Sequence, residues 1–138
     1  MVSKVAIVEL HDNVQLSFKR ALELIGKIDD LNTATRSVVV KVGIFHHRAE
    51  NHASVSVVNA IVNSFNKAPK IFLAESDNYI GNGSERLQIY KELFTERVIP
   101  FNLSEDTDTK KVNLANQKMD LSHILFKPNV FVSTHILR

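Results

Sequence analysis

The chain of 138 residues has no cysteine and no tryptophan, and it has no marked surplus of one charge, with 17 lysines and arginines against 15 acidic residues. The absence of cysteine excludes a disulfide scaffold, a thiolate zinc site, a cysteine-ligated iron–sulfur cluster within this chain and a cysteine nucleophile. The balance of +2 is too weak to indicate nucleic acid, because nucleic-acid-binding surfaces concentrate basic residues in patches.

Long hydrophobic runs are lacking as well. The first apolar run, residues 5–10, is interrupted by Glu9 and followed by His11, which makes it too short for a signal-peptide core or a bilayer span. We therefore expect a cytoplasmic protein without a membrane partner. A hydrophobic fraction of 44% with 23% charged residues is ordinary for a globular protein, and the length favours one domain over residues 1–138.

What the sequence does contain is an alternation of strand-like and helix-like segments. The predicted strands are apolar runs rich in β-branched residues, at residues 5–10, 37–45, 70–75 and 98–103. The predicted helices have apolar residues at steps of three and four, at residues 14–28, at residues 55–65 and from an N-cap at Ser84 onwards. The alternation predicts an α/β fold with a mostly parallel sheet of about four to six strands and helices on both faces, a Rossmann-like three-layer architecture.

The last third of the chain breaks this pattern. Residues 104–111 are polar and predict a loop, whereas residues 124–126 and 130–132 predict short strands added to the same sheet. The sequence stops within a few residues of an apolar strand. We therefore expect either a minimal domain or the amino-terminal portion of a longer protein, with a missing C-terminal segment or a second copy as partner. Pro100 indicates that the strand at residues 98–103 lies at an edge.

Three histidines follow the strand at residues 37–45. Ligands of open parallel sheets bind at the carboxyl ends of the strands, so His46, His47 and His52 are candidate metal ligands, with Glu75 or Asp77 completing the set. The alternative is a solvated polar loop, because adjacent residues on a strand point to opposite sides.

The loop at residues 77–84 leads from a strand into a helix. Gly81 and Gly83 would let the backbone approach a ligand, and the helix N-terminus offers free N–H groups to an anion. The loop has neither the Gly-Lys-Ser/Thr ending of a P-loop nor a dinucleotide-binding fingerprint. Glu75 and Asp77 could act as a general base on a metal-bound or activated water, and Ser76 could be a nucleophile. The alternatives are that the glycines only form turns and that Ser76 and Asp77 only cap the loop.

One charged residue lies inside an apolar strand. Lys41 must pair with an acid, extend to the end of the sheet or bind a ligand, because burying an isolated charge is costly.

The order of these segments resembles domain-of-unknown-function family 362. The resemblance rests on the strand Val38-Val39-Val40-Lys41-Val42, the segment Leu73-Ala74-Glu75-Ser76-Asp77 and the triplet Ser133-Thr134-His135. Two departures are Val42-Gly43 where the family often has a proline–asparagine pair, and Ser133 in place of lysine. The resemblance covers about residue 38 to the end and implies the amino-terminal α/β part of such a protein. It also favours five site positions: Lys41, Glu75, Ser76, Thr134 and His135.

Two hypotheses for function follow. The first is a domain that binds a small anionic ligand or a metal at the carboxyl ends of its parallel strands. The second is a non-catalytic interaction or structural domain that self-associates or needs a further segment. Whether the protein is an enzyme, and with which cofactor, is left open by the sequence.

Overall fold

The centre of the protein, in a computed structural model that describes residues 3–46 and 51–135, is a parallel sheet of four strands. These strands are β1 (Val38–Lys41), β2 (Ile71–Glu75), β3 (Val98–Asn102) and β6 (Val130–Ser133), in the spatial order β3-β2-β1-β6. A separate antiparallel hairpin consists of β4 (Thr109–Leu114) and β5 (Gln117–Ser122). The mixed α/β class with a parallel sheet is thereby confirmed.

The helices begin at residues that cap them. The α-helices are α1 (Val14–Ile25), α2 (Val55–Ser64) and α3 (Gly83–Leu87), and 3-10 helices span Gln88–Leu93 and His123–Phe126. Side-chain oxygens of Asn13, Ser54 and Asn82 accept hydrogen bonds from first-turn N–H groups, as N-cap residues do. The third helix therefore starts after Asn82, and Ser84, which we predicted as its cap, lies inside it.

All three α-helices pack against one face of the sheet. Because side chains alternate along a strand, Val38 and Val40 of β1 lie in one apolar cluster and Val39 lies in another. The first cluster joins these two valines to residues of the three α-helices, including Phe18, Ile61 and Leu87. This face holds the larger part of the core.

The second face of the sheet is covered by a 3-10 helix, whereas the sequence predicted helices on both faces. Ile124, in the second 3-10 helix, packs there with Val39 and Ala74. The chain passes from β1 through β2 to β3 in one direction and then returns to β6 on the other side of β1, so a right-handed connection reaches the opposite face. In the described residues that connection is a hairpin and a 3-10 helix, and helices on both faces are not confirmed.

Three further local predictions are wrong. Residues 5–10 form no strand: Val5 and Ile7 are 87% and 94% exposed, because both neighbours of β1 are already in place and β-branched residues need a paired surface. The predicted loop at residues 104–111 ends inside β4, and residues 124–126 are 3-10 helix instead of strand. The edge position of Pro100 is confirmed, since β3 ends the sheet.

Within the described ranges, no helix has both the length and the apolar character that crossing a bilayer requires.

Candidate functional site

A cavity of about 390 Å³ opens at the carboxyl ends of the central strands. In the sheet, β2 lies on one side of β1 and β6 lies on the other. Open α/β sheets bind ligands at the carboxyl ends of the strands where the strand order reverses in this way. The side chains and backbone around the cavity come from β1, β2, β6, α3 and the loops after them: Lys41, Gly43, Ile44, Phe45, Asn51, Glu75, Ser76, Asn78, Arg86 and His135.

Glu75 is the anchor of this cavity. It is only 3% exposed, and its Oε1 accepts hydrogen bonds from the Lys41 ammonium and from the Ser76 N–H at 2.9 Å. Its Oε2 accepts the Ile44 N–H at 2.6 Å. The Lys41 ammonium is therefore neutralised by the Glu75 carboxylate. Because Lys41 and Glu75 are the last residues of β1 and β2, the ion pair links the two strands at their carboxyl ends. Of the three alternatives that the sequence left open for Lys41, the structure shows pairing with an acid.

A buried arginine, which sequence reasoning missed, holds the loops of the cavity together. Arg86 is 2% exposed, and its two terminal nitrogens donate to the carbonyl oxygens of Ile44 and Ser76. Its third donor, Nε, has no hydrogen-bond partner among the described residues. The available signal was its position four residues before Tyr90, which the sequence places on the apolar side of the predicted helix.

Gly43 brings β6 to the cavity. Its φ of +64° is in the left-handed region, and a β-carbon there would lie 2.5 Å from the carbonyl oxygen of Thr134 and 3.0 Å from the His135 ring. The Thr134 N–H donates to the Lys41 carbonyl at 3.0 Å, and its hydroxyl donates to the Val42 carbonyl at 3.0 Å. Thr134 thus holds the strands together, while His135 reaches the cavity wall.

Asp77, Gly81 and Gly83 lie in the neighbouring loop and do not line this cavity. The Asp77 carboxylate accepts the Gly83 N–H at 2.7 Å and an Asn102 amide N–H at 2.8 Å. A β-carbon on Gly83 would lie 2.8 Å from the Asn102 amide oxygen, so the glycine allows this close approach. These contacts agree with the alternative interpretation of Asp77 as a loop-capping residue.

We predict that Asp77→Asn makes the free energy of unfolding fall less steeply as the pH is lowered in the acidic range. The hydrogen bond from the Gly83 backbone, followed by the one from Asn102, lowers the pKa of Asp77, so the folded protein holds this proton less tightly than the unfolded chain. The stabilisation is complete above the ordinary aspartate pKa of 3.8 and is lost as the pH falls through the lowered value. Urea denaturation between pH 2 and 6 measures it. Asp12→Asn, in the segment before α1, is the control and should keep the wild-type slope.

For Tyr90 we predict a loss of stability at alkaline pH. Its hydroxyl donates to the Ala53 carbonyl at 2.6 Å, and burial, with a smaller contribution from the Glu75 charge, raises its pKa strongly. Above pH 10 the unfolded chain loses this proton while the folded protein keeps it, so stability falls as the pH rises. Tyr90→Phe should have a flatter stability profile from pH 9 to 11 in denaturant titrations, and an unchanged slope would contradict the assignment.

The predicted histidine ligands are only partly described. His47 lies outside the described residues, whereas the His46 N–H donates to Asn51 Oδ1 at 3.4 Å. His52 packs edge-on against Tyr90, with ring centroids 6.1 Å apart. Among the side chains that the structure places, no three histidine or acidic residues form a group that could hold a metal ion. A metal site that includes His47 stays a prediction.

The structure thus places Lys41, Glu75, Ser76 and His135 around one cavity and adds Arg86 to them. Comparison of this chain with protein families, curated proteins and solved structures finds no match.

Proposed function

We propose that the cavity at the ends of β1, β2 and β6 binds a small oxyanion, a phosphate monoester or a carboxylate. The observation that carries the proposal is Arg86, a guanidinium that is 2% exposed, borders the cavity and has one donor without a partner in the described residues. Buried donors are nearly always hydrogen-bonded, so an unpaired one on a residue that borders a cavity supports an acceptor bound from that cavity. Guanidinium groups bind oxyanions through short, charge-assisted hydrogen bonds.

The charge around the cavity supports an anion. Lys41 and Arg86 are cationic, and Glu75 is the one carboxylate among the described residues of the lining. The Glu75 carboxylate is occupied by three donors and neutralises the charge of Lys41. The charge of Arg86 has no carboxylate partner among the described residues of the lining. The volume of about 390 Å³ lies within the range of small-molecule sites.

The proposal concerns binding and not catalysis. A general base needs a carboxylate oxygen that is free to take a proton, whereas both oxygens of Glu75 accept hydrogen bonds from the protein. The side chain therefore serves better as an anchor than as a base.

Calorimetric titration with inorganic phosphate and with acetate tests this proposal. We expect saturable binding of at least one anion and a rise in melting temperature at millimolar concentration. Lys41→Gln removes a cation from the cavity and should weaken binding about tenfold or more, since a hydrogen bond to a charged group contributes about 1.5–3 kcal/mol. Lys118→Gln, on the exposed surface of the hairpin, is the matched control. No binding of either anion would overturn the proposal.

We also propose that the fold is Rossmann-like and that the chain is related to family 362. The order β3-β2-β1-β6 supports the first part, because doubly wound sheets place three successive strands on one side of the switch point. The second part is supported by the cavity that gathers Lys41, Glu75, Ser76 and His135, four of the five positions that the resemblance favours. The cytoplasmic location remains a prediction.

A second candidate function is self-association through β6. This strand ends the sheet, and Phe131 on it is 54% exposed, so its outer edge offers both backbone hydrogen-bonding groups and apolar surface. Light scattering at increasing protein concentration should then show a dimer that Phe131→Lys dissociates. A wild-type monomer at every concentration would contradict this candidate.

A further inference from the structure

A second and larger concavity adjoins the oxyanion cavity. It has a volume of about 820 Å³ and lies among α1, α2, β6 and the segment before α1. We call it the apolar groove, after six apolar side chains in its lining: Leu10, Phe18, Val55, Val57, Ile61 and Val132.

The apolar groove is open to solvent and is not a void inside the core. Phe18, Val55 and Val132 are half-buried where they meet the main cluster, and Leu10 is 61% exposed. Exposed apolar surface that is also concave marks a binding site more often than a flat patch does.

The groove meets the oxyanion cavity at His135, which lines both. Thr134 and Ser133 continue from His135 into the groove wall. An oxyanion held near Lys41 and Arg86 would therefore have the apolar groove beside it.

We infer that the ligand is an amphiphile, an oxyanion head that carries an alkyl chain, with the chain in the apolar groove. This inference rests on the proposed oxyanion function. In the part of the chain that the structure describes, no lysine, arginine, aspartate or glutamate lines the groove, and its polar lining side chains are His52, Ser54, Ser133, Thr134 and His135. The apolar side chains offer burial to an uncharged alkyl chain, whereas a second charged group on the ligand would find no counter-ion among them. Aliphatic chains gain binding free energy in proportion to the apolar surface that they bury.

A series of n-alkyl phosphates from methyl to octyl, titrated into the full chain by calorimetry, tests the inference. Each added methylene that enters the groove should tighten binding roughly fourfold, the fold-change that corresponds to the burial of one CH₂ group. Inorganic phosphate serves as the head-only probe. The heat capacity change on binding should become more negative with chain length.

Two variants narrow the groove without touching the oxyanion cavity. Val57→Phe fills it from α2, and Ala53→Leu fills it from the loop before α2. Both should keep the wild-type affinity for inorganic phosphate and lose the gain with chain length. Val5→Phe is the matched control, because Val5 is 87% exposed outside the groove, and it should keep that gain. Circular dichroism checks that each variant is folded.

The outcomes separate this inference from the proposed function. If inorganic phosphate binds but affinity does not rise from methyl to octyl phosphate, the amphiphile is overturned and the oxyanion site stands. If neither inorganic phosphate, acetate nor any alkyl phosphate binds, the oxyanion proposal itself fails. If both groove variants keep the rise in affinity with alkyl-chain length, the alkyl chain binds outside the groove. If light scattering shows a wild-type dimer that Val57→Phe dissociates, the groove is occupied by a second copy of the protein. Either result overturns the inference.

Discussion

Replacing Gly43 by alanine should destabilise the protein by about 3 kcal/mol and abolish binding at the oxyanion cavity. Two effects add up. The φ of +64° is unfavourable for any residue with a β-carbon, and that carbon would lie 2.5 Å from the Thr134 carbonyl oxygen, which belongs to the backbone and cannot rotate away. The end of β6 must therefore move away from β1 and take His135 with it.

Chemical denaturation measures this loss, and the same glycine-to-alanine change elsewhere provides the control. At Gly81 a β-carbon meets nothing within 4 Å, and the backbone is outside the left-handed region. Gly81→Ala should therefore change stability by less than about 0.5 kcal/mol. If the two variants were equally stable, the close contact between Gly43 and Thr134 would not exist in solution.

Removing the Glu75 carboxylate should have an effect of similar size. Glu75→Ala leaves the Lys41 ammonium without its partner and leaves the N–H groups of Ile44 and Ser76 without acceptors. Breaking a buried pair costs about 3–5 kcal/mol, and since the Lys41 side chain is 24% exposed we expect about 3 kcal/mol. For a domain of this length that corresponds to a melting temperature about 10 °C lower.

The exposed pair between Arg20 and Glu23 on α1 is the control for this experiment. Its atoms are 3.6 Å apart and both side chains are substantially exposed, so Glu23→Ala should cost less than about 0.5 kcal/mol. Glu75→Gln should fall between the two, because its amide oxygen still accepts the bonds made to one carboxylate oxygen while its NH₂ group cannot accept those made to the other. A loss below 1 kcal/mol for Glu75→Ala would contradict the role of Glu75 as anchor.

Local periodicity was enough to predict the main elements of the sheet and its helical face. The steps of three and four apolar residues in α1 and α2, and the apolar runs of β1 and β2, are properties of the chain that any compact fold must respect. The hairpin of β4 and β5 was missed for the opposite reason. Its strands are mostly exposed and polar, and its turn uses Ala115 and Asn116 at positive φ in place of the usual Asn-Gly.

The candidate site was predictable only where a residue violated its local pattern. Lys41 was conspicuous because a charge interrupts an apolar strand, and the acidic end of β2 was a natural partner. Arg86 was not, since an arginine on a short helix is ordinarily exposed, and only its place under the loops after β1 and β2 buries it.

What the sequence by itself determined is the alternation of elements, the parallel sheet and the requirement that the charge of Lys41 be paired, carried to the end of the sheet or bound to a ligand. These follow from periodicity and from the cost of burying a charge, which act over a few residues. Only the tertiary structure decided that residues 5–10 stay outside the sheet, that β6 lies beside β1 and that the second face has a hairpin connection without a helix. These outcomes depend on which strand pairs with each edge of β1. Such pairing brings together residues about 90 positions apart, such as Lys41 and Thr134, and therefore cannot be read from local sequence.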